Sequence, residues 1–95
     1  MSYPKRQEIA RAILEELNAM GGEGKTGDVY SRVARHFPQI TAEELTQSFG
    51  IGEKKWTNMV RWAKLTLIQN GEVVGPSRGV WTITDKGRQR IGEKP

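Results

Sequence analysis

The 95 residues contain no cysteine and a single histidine, His36. The first absence excludes a disulfide framework and a thiolate metal site, and one imidazole alone cannot build a zinc site. A reducing, cytoplasmic location is the expectation that follows. No uninterrupted apolar run approaches the length of a signal core or a membrane span, so a soluble protein without membrane contact is expected. Carboxylates are also scarce, but only in one half. Residues 1–53 carry six Lys/Arg against eight Asp/Glu, a balance of −2, whereas residues 54–95 carry nine against three, a balance of +6. A basic surplus confined to one part of a chain suits a polyanion, because each cation placed on a phosphate releases condensed counterions.

A chain of this length holds one hydrophobic core, and its patterning is mainly helical. Ile9, Ile13, Leu14, Leu17 and Met20 recur at helical spacing from Arg6 to Met20, and Gly21-Gly22 closes that helix. A polar loop, Glu23-Gly24-Lys25, leads to Thr26 as the candidate N-cap of a second helix with the stripe Val29, Tyr30, Val33 and Phe37, ended by Pro38. Thr41-Ala42-Glu43-Glu44 has the form of a capping box, with Ile40 and Leu45 placed as a hydrophobic staple, and predicts a short third helix to about Phe49.

The stretch from Lys54 to Asn70 has neither glycine nor proline and predicts a long helix. At about 100° per residue, Trp56, Met59, Val60, Ala63 and Leu67 form the core face. Lys54, Thr57, Asn58 and Arg61 lie on the opposite side, with Lys64 at the margin. Trp62, Leu65 and Ile68 fall outside the stripe, from which the second half of the helix is expected to be buried more completely than the first. Asn70-Gly71 ends it. Glu72-Val73-Val74 and Val80-Trp81-Thr82-Ile83 then predict a β-hairpin around the turn Gly75 to Gly79, and Thr84 caps a basic helix from Asp85 to Ile91.

Helices followed by a long helix and a hairpin give the order of a winged helix, with an extra helix before the one that enters the major groove. The residues themselves carry a resemblance. Trp56-Thr57-Asn58-Met59-Val60-Arg61-Trp62-Ala63, then Asn70-Gly71-Glu72-Val73-Val74, then Arg78-Gly79-Val80-Trp81-Thr82-Ile83-Thr84-Asp85-Lys86-Gly87 closely resemble the N-terminal domain of Mrr-like restriction endonucleases. The stretch from Asp28 to Phe37 is similar too, so the likeness spans roughly Ile9 to Ile91. It implies a winged-helix recognition module for double-stranded DNA, often modified DNA, lying in front of a separate nuclease domain. The helix predicted at Thr41 to Phe49 departs from the simplest helix-turn-helix.

Within that frame the face of Lys54, Thr57, Asn58 and Arg61 supplies a guanidinium fork, an amide able to read adenine, a hydroxyl and a point charge, the groups that read base edges and phosphates. Lys55 and Lys64 at its flanks are candidates for phosphate contact, as are Ser77 and Arg78 at the tip of a short wing. Trp56 and Trp81 are read as core; Trp62, off the stripe, is free to pack on Ile9 or Ile13, to face a partner or to meet an extruded base. Catalytic patterns fail. Glu53-Lys54-Lys55 has the Glu-x-Lys form of a nuclease metal site, but no strand is predicted there to hold a second carboxylate beside it. Gly21, Gly22, Gly24 and Gly27 lack the Walker spacing, and His36 is read as a helix-end residue without a role. A binding domain without metal, cofactor or catalytic residues is expected. A stand-alone transcription regulator and a protein-interaction winged helix docking through Trp62, Leu65 and Ile68 stay as alternatives.

Overall fold

In the computed structural model the described residues are 4–38, 48–49, 53–75 and 79–92, with 48–49 and 53–55 described by backbone alone. Helix α1 (Arg6–Ala19) is followed by strand β1 (Glu23–Lys25) and helix α2 (Thr26–Arg35). The short strands β2 (Ser48–Phe49) and β3 (Glu53–Lys54) precede the long helix α3 (Lys55–Gln69). Strands β4 (Val73–Val74) and β5 (Val80–Ile83) and helix α4 (Asp85–Arg90) complete the order. The architecture is mainly helical with a small antiparallel sheet of order β1-β5-β4, compatible with a winged helix.

The expected stripes supply the core. Ile9, Ile13, Leu14 and Leu17 of α1 meet Val29, Val33 and Phe37 from α2 and its end, and Trp56, Val60, Ala63 and Leu67 of α3. Each such aliphatic side chain contributes about 1.5–3 kcal/mol on burial. Ala10 and Ala12 are buried as well, so α1 is enclosed on more sides than its stripe alone requires. α3 ends at Gly71 in the left-handed region (φ 75°), where Gly71 N–H donates to Ile68 O at 3.0 Å and Glu72 N–H to Leu67 O at 2.9 Å. These two bonds satisfy carbonyls that the helix leaves over, and a Cβ at Gly71 would strain the turn.

Four expectations are corrected. Glu23-Gly24-Lys25 is a strand rather than a loop: it pairs with β5 in the register Glu23↔Thr82, Gly24↔Trp81 and Lys25↔Val80. The sequence lacks apolar alternation there because the pairing is set by the backbone edge that β5 offers. Thr26 is the first residue of α2, and the N-cap position falls on Lys25 without a side-chain cap bond. Its hydroxyl is committed elsewhere, donating to Gly79 O at 3.2 Å and accepting from Trp81 Nε1 at 3.0 Å. Ser48 and Phe49, placed at the end of a third helix, pair antiparallel with Lys54 and Glu53, so a strand does lie at Glu53-Lys54. The capping box at Thr41 to Glu44 and its staple lie outside the described residues. Finally, the second half of α3 is more exposed, not less, with Trp62 at 51%, Leu65 at 40% and Ile68 at 39%.

The hairpin registers Val73↔Ile83 and Val74↔Thr82, which turns Val73 and Ile83 inward and leaves Val74 exposed on the other face. α4 is capped as expected, Thr84 Oγ1 accepting from Gly87 N–H at 3.2 Å while donating to Gly71 O at 2.6 Å. Glu72, 5% exposed, is held by Arg90 Nη1 at 2.7 Å, and Arg88 Nε donates to Asn18 Oδ1 at 3.3 Å. Two of the basic residues in the C-terminal half are thus structural, fastening α4 to the hairpin and to α1. A buried carboxylate without such a partner would be strongly destabilising.

Gly87 sits where α4 comes closest to the core. A Cβ there would collide with the Glu72 carbonyl oxygen and stand 2.8 Å from Ile83 Cγ1 and 3.0 Å from Leu14 Cδ2. Gly87→Ala should therefore cost about 1–3 kcal/mol through overpacking, whereas Gly27→Ala, whose Cβ meets nothing within 4 Å, should be neutral or stabilising. Thermal melts of the two variants check this; equal melting temperatures would mean that α4 does not pack as described.

Trp81 is 1% exposed and Trp62 is half-exposed. Trp81→Ala should cost roughly 3–5 kcal/mol, a large part of the stability of a small domain, and Trp62→Ala clearly less. Chemical denaturation of both variants is the check, and equal, large losses would make Trp62 a core residue.

Candidate nucleic-acid interface

Trp81 fixes the surroundings of α3. Its indole lies edge-on to Tyr30, with centroids 5.7 Å apart and planes at 71°, and its one polar atom is satisfied by Thr26. Thr26 also donates from its backbone N–H to Gly79 O at 2.9 Å. The first turn of α2 is thereby tied to the hairpin, at the residue just before β5. Buried indoles usually find such a partner; for Trp81 it belongs to a different element, whereas the buried Trp56 Nε1 has none among the described residues.

Lys64 Nζ stands 4.5 Å from the Trp81 ring centroid, a cation–π contact of about 0.5–2 kcal/mol in general. Burial pushes the Lys64 ammonium below its ordinary range. Lys64 is half-buried in the middle of α3, and its ammonium is engaged with the ring rather than extended from the outward face. Thr57 and Arg61, one turn apart, lie next to Tyr30: the Tyr30 hydroxyl donates to Thr57 O at 3.5 Å. Burial raises the Tyr30 phenol above its ordinary range, and the Arg61 charge partly opposes that shift.

The candidate residues divide as follows. Arg61 is exposed, with Asn58 and Thr57 half-buried beside it on the outward side of the first turns of α3. Lys54, the expected first residue of the helix, belongs to β3, and the helix begins one residue later at Lys55. Their side chains, together with Ser77 and Arg78 of the wing tip, lie outside what is described. Tyr30 is expected from the sequence in the apolar stripe of α2, and no sequence signal marks its contact with the backbone of Thr57. The arrangement presents a guanidinium, an amide and a hydroxyl on a rigid helix, all able to donate to or accept from base edges and phosphate oxygens.

His36 sits at the C-terminal end of α2, its Nε2 2.6 Å from Glu16 Oε2, while Arg32 Nη1 donates to Glu16 Oε1 at 3.3 Å. This cluster joins α2 to α1 on the side of His36 and is a structural contact. None of the described helices is long and apolar enough to cross a membrane.

No curated protein and no solved structure matches the chain. The profile of the Mrr N-terminal domain matches residues 7–93, nearly the full length and the same span over which the local motifs run. With its hydrophobic stripes, its Asn70-Gly71 helix end and its Trp81 hairpin all placed in one fold, the chain belongs to the Mrr N-terminal domain family.

Proposed function

We propose that this domain binds double-stranded DNA as the recognition module of an Mrr-like restriction system, with α3 entering the major groove and the β4–β5 hairpin serving as the wing. The observation that carries the reading is the outward group of Thr57, Asn58 and Arg61 on a helix fixed from behind by Trp56, Val60, Ala63 and Leu67. A face held by a packed core presents its donors in constant geometry, which base readout requires. Membership of the family supports a role in restriction. Cleavage is assigned to a separate nuclease domain, and this domain supplies binding without catalysis, metal or cofactor. Asn58 and Arg61 are the base readers; Lys54, Lys55, Ser77 and Arg78 are the phosphate contacts, with Lys64 supporting the helix through Trp81. Dependence of the binding on the sequence or the modification of the DNA is part of the same reading.

A protein-docking role is the second reading, favoured by the exposure of Trp62, Leu65 and Ile68 beyond Arg61 on the same helix. It requires no affinity for DNA at low salt, which separates the two.

Binding to a duplex should be salt-sensitive. With about four to six phosphates contacted, log affinity falls against log salt with a slope of about −4 to −5. A fluorescence-anisotropy titration over a salt series reads it directly, and a slope near zero would contradict the reading.

Positioning and reading should separate by substitution. Arg78→Ala weakens binding to all sequences alike, whereas Asn58→Ala or Arg61→Ala costs about 1–3 kcal/mol, mainly on the preferred site, because phosphates carry no sequence information. Affinities on preferred and scrambled duplexes test this, and the opposite pattern would exchange the roles of helix and wing.

A further inference from the structure

The other flank of α3 carries a feature that the DNA reading does not use. Trp62, Thr66 and Asn70 are four residues apart and form one row facing α1; Thr66 Oγ1 donates to Trp62 O at 3.1 Å. Two clefts run along this side. One, of 530 Å³, is lined by Arg6, Gln7, Ala10, Thr66, Asn70 and Arg90, and the other, of 240 Å³, by Arg6, Ile9, Met59 and Trp62. Arg6 lines both, so they adjoin. The larger falls in the range of small-molecule sites, about 300–1,000 Å³; the smaller is an annex below that range.

Their chemistry is divided. The smaller cleft is apolar, with the half-exposed Trp62 ring beside Met59 and Ile9. The larger has two guanidinium groups, two amides and a hydroxyl, of which the Asn70 amide donates to Glu72 Oε1 at 3.4 Å and the Thr66 hydroxyl to Trp62 O; no carboxylate is among the described residues that line either cleft. Arg90 is anchored by Glu72 at 2.7 Å, which fixes its position and leaves its other N–H groups for a ligand. Arg6 has no ion-pair partner among the described residues. A fork donor of this kind matches phosphate geometry, and an exposed indole offers a stacking surface to any base.

We propose that the α1–α3 groove binds a free nucleoside monophosphate, its phosphate on Arg6 and Arg90 and its base on Trp62. Neither compartment alone accounts for the other: a plain anion leaves the indole uncovered, and a neutral aromatic leaves Arg6 without an ion-pair partner among the described residues. The site lies across α3 from Tyr30 and Lys64, so it stands or falls separately from the DNA reading.

Tryptophan fluorescence of the whole chain tests it, because Trp56 and Trp81 are buried and Trp62 alone is exposed. AMP should quench saturably, with a midpoint of about 0.1–1 mM, the affinity of a small open site. Adenosine and inorganic phosphate should each bind about tenfold more weakly or worse, each lacking one half of the contacts. Arg6→Gln should raise the AMP midpoint about tenfold, and Trp62→Leu should weaken AMP binding in calorimetry, while both variants keep their affinity for duplex DNA. Arg61→Ala should leave AMP binding unchanged even where it impairs DNA binding. The proposal is overturned by an absence of saturable quenching, by equal quenching with adenosine, or by loss of AMP binding in Arg61→Ala or on adding duplex. The last two results would place the nucleotide on the DNA face instead.

Discussion

The hydrogen bond from the buried Trp81 indole to Thr26, with the Lys64 ammonium over the same ring, joins the sheet to two helices in this domain. Trp81 on β5 donates to Thr26 at the start of α2, packs edge-on against Tyr30 and carries the Lys64 ammonium over its face. Because Thr26 also donates to Gly79, the hairpin, α2 and α3 share one set of contacts. A change at Trp81 would therefore loosen the hairpin and shift the support of α3 together. The outward donors of α3 are only as well placed as this junction allows.

The same economy explains how basic residues are used. Arg88 and Arg90 hold α4 against α1 and Glu72, and Lys64 is spent on the Trp81 ring. Arg61 is left as the exposed cation on the described part of α3. The charge surplus of residues 54–95 is thus divided between internal fastening and a smaller outward face. Whole-chain charge overstates what is available to a polyanion.

Most of the fold was legible because helical stripes report burial directly. Ile9, Ile13, Val29, Val33, Val60 and Leu67 are all fully buried, and the ends at Gly22, Gly71 and Thr84 follow from backbone groups that need partners. What escaped the sequence has a common cause in contacts made at long range. Glu23-Gly24-Lys25 becomes a strand only because β5 offers an unpaired edge, and Thr26 abandons the local cap for Gly79 and Trp81, more than fifty residues away. Leu65 and Ile68 were assigned burial because apolar residues off a stripe imply a second neighbour, and no described element covers them fully. Of the candidate site, Thr57, Asn58 and Arg61 share a side as periodicity requires, but the withdrawal of Lys64 onto an aromatic ring and the contact of Tyr30 with Thr57 depend on tertiary packing.

The central claim is that the outward side of α3, supported through Trp81, is the surface that meets DNA. Backbone amide shift mapping by NMR during titration with a short duplex tests it most directly. The account predicts perturbations concentrated at Thr57, Asn58, Arg61 and the amides around Tyr30 and Gly79, with α4 and the Glu16–His36 cluster unmoved. Shifts confined to Trp62, Leu65 and Ile68, or none at low salt, would contradict it.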